Sequence, residues 1–415
     1  MAAFSIFVCS LLFLLYVARA KKIAPISLYS VFIAFQCLYN VVPWVTSLLD
    51  LPVLRLLSDR SVVDTQVTLA GLSNICFGLI FLFFYKNRPI KASTEASQQK
   101  RRNYFLLVLP AFLITCVLCA KYGWNQFATG AETGEPGGMY SVTAYVKHAF
   151  IAIYIYYLYR FGLDKWAWRL FLLNIIVLFI DGARTTFLPV AFLTLMLYSS
   201  KQAKSNRRVY IVAAMGVFFA IAARSIILSG NSSVAQKLIA PVAVEGTMGA
   251  YPSLQAIYAV QHNLTDGYTY GGSYVLDPLL LMIPSADLRD HQLLKTWERQ
   301  IDPGIPDKFA PMGGFYYLAE AVAAFSYLGP PLVTTIFAGV VVMMERLKAK
   351  HALAYYFWVA TVGVLFVKTN FANSFKIYIT QFLLALMLVA IHRYRVWMAM
   401  PNDLRDSVST SAVEA

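Results

Sequence analysis

Long apolar runs separated by short polar joints dominate this chain. They fall near 3–20, 24–49, 66–85, 104–120, 141–159, 170–200, 209–229, 315–344, 351–370 and 377–392. Most have about twenty residues, the length a helix needs to cross a hydrocarbon core of about 30 Å. The pattern therefore predicts an all-α polytopic integral membrane protein, since helices satisfy their backbone polar groups locally.

The joints alternate in charge. Arg19/Lys21/Lys22, Lys86 to Arg102, Arg160/Lys165/Arg169, Lys201 to Arg208, Arg346/Lys348/Lys350 and Arg393/Arg395/Arg405 hold 22 of the 35 Lys and Arg, against six carboxylates. Such basic joints belong in the cytoplasm, which puts the N-terminus and the polar stretch Gly230–Gly313 outside. The alternation holds only if 170–200 crosses twice, or enters and returns. Two arms of about 15 residues reach about 23 Å each, so the turn Asp181-Gly182-Ala183-Arg184-Thr185-Thr186 is expected to be sunken. The expected layout is then eleven spans. About eight lie in 1–229, including the hairpin at 170–200; a large extracytoplasmic loop covers 230–313. About three more spans lie in 314–394, and a cytoplasmic tail of polar, disordered character covers 395–415. Within 315–344 the sequence Gly329-Pro330-Pro331 ends one helix and starts another. The first, short helix carries Glu320. No internal repeat is visible.

Composition adds to this picture. The chain of 415 residues is 59% hydrophobic and 13% charged, about half the charge usual in soluble domains. Its net charge of +14 is explained by the basic joints, so nucleic acid is not an expected partner. The five cysteines, Cys9, Cys37, Cys76, Cys116 and Cys119, all lie in apolar runs. Disulfides and thiolate metal sites are not expected, and Cys116-x-x-Cys119 reads as helix packing. The first apolar run precedes its basic cluster, the reverse of a secretory signal, so it is expected to be a retained helix. Phosphate-loop, D-x-D, H-E-x-x-H and four-ligand metal patterns are absent. No cofactor or metal is expected, and an outward-facing site has no access to nucleotide-activated donors. Bond-making energy would have to arrive in the substrate, for which a lipid-linked diphosphate sugar is the obvious carrier.

Ionisable residues at membrane depth are expensive and therefore candidates for function. Asp181 and Arg184 sit in the sunken turn, Arg224 near the outer end of 209–229, and Glu320 after the loop. Lys147, His148, Lys368 and Lys376 flank other outer ends. Arginine suits phosphate through its bidentate fork; the plain alternative is an Asp181–Arg184 ion pair closing the turn, with the other cations reaching to headgroups. The loop brings Asp287-Leu288-Arg289-Asp290-His291, then Trp297-Glu298-Arg299, with Tyr251, Tyr258, Tyr268, Tyr270, Tyr274, Phe309 and Phe315 between and around them. Aromatics among carboxylates and arginines suit sugars. An interfacial aromatic belt is the plain alternative.

These residues resemble the Wzy-type O-antigen and capsule repeat-unit polymerases of bacteria. The resemblance rests on Asp181-Gly182-Ala183-Arg184-Thr185-Thr186 in a short hairpin and on the large loop with Gly267-Tyr268-Thr269-Tyr270-Gly271 and Ile283-Pro284. Its third element is Glu320 to Gly329 at the loop's end. It covers about 165–345 at motif level. Paired R-x10-G motifs found in some members are missing, and Phe-Gly after the glutamate is loosened to Phe325…Gly329. The resemblance implies a glycosyltransferase of the bacterial cell inner membrane with its site facing the periplasm, acting in lipopolysaccharide or other polysaccharide biosynthesis. It would move a glycan from polyprenyl diphosphate to the sugar end of a lipid-linked repeat unit, without metal. Arg184, Arg224, Arg289 and Arg299 would bind diphosphate or sugar, with Tyr268, Tyr270 and Trp297 as sugar-binding rings; Glu320, His291 or Asp181 would be the base. Implied partners are the polyprenyl-diphosphate-linked oligosaccharides, membrane lipids, and a chain-length regulator and flippase of the same pathway. Two readings compete: an O-antigen ligase passing the glycan to lipid A core, and a transporter or flippase with the charges lining a path. Asn231-Ser-Ser and Asn263-Leu-Thr are formal glycosylation sequons, which leave a eukaryotic membrane protein open.

Overall fold

Where apolar residues run on for twenty positions, backbone N–H and C=O groups must close on one another within the segment, and a helix is the arrangement that does so. The computed structural model describes residues 2–48, 59–86, 98–122, 138–181, 184–201, 234–283, 291–305, 317–367 and 369–398. Among them every regular element is helical. We label these α1 (Ala2–Ala20), α2 (Leu28–Leu48), α3 (Arg60–Phe84), α4 (Gln98–Tyr122), α5 (Gly138–Phe161), α6 (Lys165–Asp181) and α7 (Arg184–Lys201). There follow α8 (Val234–Gln261), α9 (Gly272–Met282), α10 (Leu293–Ile301), α11 (Tyr317–Phe325), α12 (Gly329–Leu347), α13 (Ala352–Gly363) and α14 (Phe371–Met398).

Among the described residues, six stretches are long and apolar enough to cross a membrane: Ala2–Ala20, Leu28–Leu48, Arg60–Phe84, Lys100–Leu118, Tyr317–Leu347 and Phe371–Ile391. This is the signature of a helical membrane protein. The apolar segment 170–200, expected to cross twice, falls within two helices, neither of which is a candidate span. α6 and α7 have 17 and 18 residues and pack on each other; residues 182–183, between them, lie outside the described residues. The expected span 209–229 lies outside the described residues.

Tyr317–Leu347 is a hairpin, not one rod. A Cβ on Gly329 would fall on the carbonyl oxygen of Ala321, and Thr334 Oγ1 donates to Tyr317 Oη at 3.1 Å. On a continuous helix those last two residues would be about 25 Å apart. α11 therefore runs back along α12, joined by a single turn of 3-10 helix, Ser326–Leu328. α12 begins at Gly329 with prolines at its first positions, where their missing N–H costs nothing. Arg346 Nη2 donates to Phe84 O at 2.7 Å, so α3 and α12 end together. Their N-termini, and the α11–α12 turn, share the opposite end of the bundle, hereafter the loop end.

The polar excursion expected as one outer loop opens as a helix built into the bundle. α8 has 28 residues, and Tyr251, Leu254, Ile257 and Ser253 are buried. Side chains at Gly246 and Gly249 would collide with the Leu38 carbonyl and the Tyr39 ring, so α8 lies tight against the middle of α2. Small residues allow such close approach between membrane helices. Only its last turn reaches the loop end, where Gln261 Nε2 donates to Thr65 Oγ1 at 3.0 Å.

A buried polar chain ties these helices. Ser253 Oγ donates to Gln66 Oε1 at 2.7 Å, Gln66 Nε2 to Asn40 Oδ1 at 3.3 Å, Asn40 Nδ2 to Gln36 Oε1 at 3.0 Å and Gln36 Nε2 to Tyr317 Oη at 2.9 Å. Its local cause lies in α2, where Pro43 has no N–H to offer Tyr39 O four residues back. The helix relaxes into a π turn over Cys37–Val41, and Gln66 Nε2 supplies the lost bond to Tyr39 O at 2.9 Å. Around the chain stack Phe32, Phe77, Phe337, Phe366 and Tyr317.

Candidate functional site

Glu320 sits in the first turn of α11 and is 1% exposed. Its Oε2 accepts the N–H of Phe371, the first residue of α14, at 2.8 Å. The first N–H groups of a helix have no partner within it and form its positive end, so the carboxylate is stabilised there. Its other oxygen, Oε1, has no hydrogen-bond partner among the described residues. Tyr317 N–H donates to Val367 O at 3.4 Å. The start of α11, the chain beyond α13 and the start of α14 thus converge on one carboxylate.

The loop closes over it. Thr269 and Tyr270 donate their backbone N–H groups to Ala323 O and Ala324 O, at 2.9 and 3.1 Å, satisfying carbonyls that the end of α11 leaves open. Tyr270 takes a φ of +47° to do so, a conformation costly for a residue with a side chain and held by its surroundings. Tyr274 follows, its ring 5.6 Å from that of Phe371. Its buried hydroxyl has no hydrogen-bond partner among the described residues, and it is electrostatically coupled to Glu320. Ser273 is also in contact with Glu320.

Two further carboxylates act on Glu320: Asp277 of α9 and Glu298 of α10. Asp277 is 1% exposed and accepts the N–H groups of Leu293 and Leu294 at 2.7 and 3.0 Å, so it caps α10 and fixes that helix to α9. Burial raises the Glu298 carboxyl to about 7; Lys295 and Arg299 draw it down, and Asp277 pushes it up.

Beside this polar centre lies an apolar cavity of about 510 Å³. α12, α13 and α14 wall it with Val333, Phe337, Trp358, Val362, Phe375 and Tyr378, and Tyr270, Gly271, Tyr274, Phe325 and Phe371 close its loop end. Among the described residues, no charged one lines it. Tyr274 and Phe371 belong to both the cavity and the Glu320 centre.

The residues expected from sequence are distributed unevenly. Glu320 occupies the centre, and Tyr270 lines the cavity while remaining 74% exposed. Tyr268 stands edge-on to Tyr270 at 6.3 Å. Trp297 is 3% exposed and packed in the core with Leu294 and Ile301, so its ring offers no open face for a sugar. His291 and Arg299 are exposed on or next to α10. The backbones of Asp181 and Arg184 end α6 and begin α7; their side chains, like Arg224 and Arg289, lie outside the described residues. Sequence reasoning missed the roles of Tyr274, Asp277 and Phe371. Asp277 alone left a trace, as a carboxylate set in the apolar run 275–283 beside Pro278.

Set against family models, curated proteins and solved structures, the chain matches none of them.

Proposed function

We propose that the chain is a membrane glycosyltransferase that joins lipid-linked oligosaccharide repeat units into a longer glycan, with polyprenyl diphosphate as leaving group. The observation that carries this reading is the junction of two unlike environments at Glu320. A buried carboxylate, whose Oε1 has no hydrogen-bond partner among the described residues, adjoins a 510 Å³ aromatic cavity to which those residues contribute no charge. A substrate that is apolar at one end and a polyol at the other fits that junction.

In this reading the cavity takes the isoprenoid segment next to the diphosphate, and the sugars sit toward the loop. The acceptor hydroxyl attacks the anomeric carbon of the donor. The bond between that carbon and the diphosphate oxygen breaks, and polyprenyl diphosphate departs with the electron pair. Glu320 Oε1 takes the acceptor proton, a task worth roughly 10²–10⁴ in rate for a well-placed base. The Tyr274 hydroxyl, facing the same centre, donates to a sugar or phosphate oxygen. Arg184, Arg224 and Arg289 remain the candidates for holding the diphosphate, where developing charge needs fixed cations. The site would face the periplasm of a bacterial inner membrane, the side opposite the basic joints.

A second reading, a transporter of lipid-linked oligosaccharides, is favoured by α11. Short helices that turn back, carrying a buried ionisable group, are the parts from which transporters build their sites. Detergent-solubilised protein separates the two, because transport needs a closed membrane and glycosyl transfer does not. Purified chain given polyprenyl-diphosphate-linked repeat units should yield longer glycans and free polyprenyl diphosphate. Transfer instead to lipid A core would make it a ligase. Substrate binding with no new glycosidic bond would leave the transporter.

A further inference from the structure

We propose that α9 lies in the membrane on the loop side, immersed in the boundary between headgroups and acyl chains, with that leaflet as its partner. The observation is a row of exposed apolar side chains: Val275 63%, Leu276 49%, Leu279 50%, Met282 41% and Ile283 43%. Their spacing puts them on one helical face. The opposite face is accounted for: Asp277, Pro278 and Leu281 are buried, and α9 packs against α14. Across Gly272–Ile283 the sole charged residue is Asp277, turned inward to cap α10. The outward face of α9 therefore carries no charge at all.

The neighbouring loop helix argues that this is a property of α9 and not of the loop. α10 leaves Thr296, Arg299 and Gln300 exposed, a surface made for water. Two helices joined through Asp277 thus face different solvents. The apolar row also continues a surface that belongs to lipid. α9 leans on α14, a candidate span, and across the aromatic cavity Leu328, Leu332 and Ile336 of the α11–α12 hairpin are 76%, 44% and 59% exposed. Five large apolar side chains left in water would be costly at about 25 cal/mol per Å², whereas an interfacial helix buries them about 5–10 Å into the leaflet. A second copy or another protein would need to leave room for the lipid that covers these adjoining faces. With α9 in the leaflet, the cavity beside it opens sideways to lipid, so an apolar ligand reaches it without crossing water. This holds whatever reaction the chain performs.

Quenching tests the proposal. In a cysteine-free variant, single cysteines at Leu279 and at Thr296 are labelled with a fluorophore in phosphatidylcholine–phosphatidylglycerol vesicles. Brominated lipid should quench position 279 several-fold more than 296, and aqueous iodide should do the reverse. Equal iodide access at both positions overturns the proposal. So does protection of 279 from both quenchers, which would mean that protein covers the face. Should the cysteine-free chain fail to fold, hydroxyl-radical footprinting of the unmodified protein in the same vesicles replaces it. Met282 should then stay unoxidised while His291 is modified; rapid oxidation of Met282 overturns the proposal.

Discussion

A carboxylate that accepts one backbone N–H, and whose second oxygen has no hydrogen-bond partner among the described residues, can anchor a helix or take a proton, and Glu320→Gln separates the two. Glutamine keeps an oxygen for Phe371 N–H, so the fold should persist and lipid-linked substrate should still bind. Basicity is lost, and elongation by purified protein should fall by roughly 10²–10⁴. Undiminished chain growth would reduce Glu320 to an anchor. Tyr274→Phe removes only the hydroxyl, which has no partner among the described residues, and leaves the ring against Phe371. Losing one hydrogen bond worth ~1.4 kcal/mol should slow the reaction about tenfold; an unchanged rate would take Tyr274 out of the chemistry. Glu298 yields a pH signature. Its carboxyl titrates near 7 in the folded chain against an ordinary 4.5. Folding therefore favours its protonated form: its stabilising contribution is fully present below pH ~4.5 and disappears as pH rises through ~7. Thermal unfolding of the wild type should lose some midpoint temperature across that window. Glu298→Gln should show a flatter profile, and identical slopes would mean that Glu298 stays ionised.

At the scale of elements, two junctions hold the centre together. The α11–α12 hairpin depends on Gly329, where any side chain meets the Ala321 carbonyl. Gly329→Ala should force the arms apart and destabilise by about 1–3 kcal/mol, the usual range for overpacking, read as a lower unfolding midpoint in detergent. A midpoint equal to wild type would mean the arms do not approach so closely. The π turn of α2 leans on Gln66, whose amide fills the bond that Pro43 cannot make. In a hydrocarbon setting an unsatisfied carbonyl is hard to tolerate, so Gln66 belongs to the frame around Tyr317 and, through it, to the placement of α11.

For the whole molecule, the charge asymmetry of the joints and the shared ends of α3 and α12 lead to one expectation about sidedness. Asn263 lies just beyond α8 at the loop end, and Lys350 lies just beyond α12 at the other; both are exposed. Cysteines introduced there should react oppositely with an impermeant reagent on intact cells, Asn263→Cys being labelled and Lys350→Cys protected. Labelling of both, or of position 350 alone, would overturn the orientation and with it the outward-facing site.

Apolar runs of spanning length and the restart at Gly329-Pro330-Pro331 were legible in the sequence, because length, hydropathy and proline geometry act locally. Glu320 was legible for a similar reason, since a carboxylate in an apolar segment stands out wherever the chain goes. The role of its partners was not. Phe371 contributes only a backbone N–H, and Tyr274 is one tyrosine among 26; nothing about either residue type marks the meeting. α8 was read as part of a soluble loop because Ser253, Gln255 and Thr247 lower its hydropathy, yet these residues are buried and Ser253 is bonded to Gln66. A polar side chain counts as loop-like in a sequence, whereas in the fold Ser253 is inside because another helix offers Gln66 to bond it. Pairings between distant helices, which bring Tyr317 to Gln36 and Glu320 to Phe371, depend on how the helices pack together. The sequence by itself therefore determined that the chain is helical and apolar over spanning lengths and marked Glu320 among its acids, and the tertiary structure decided what surrounds that acid.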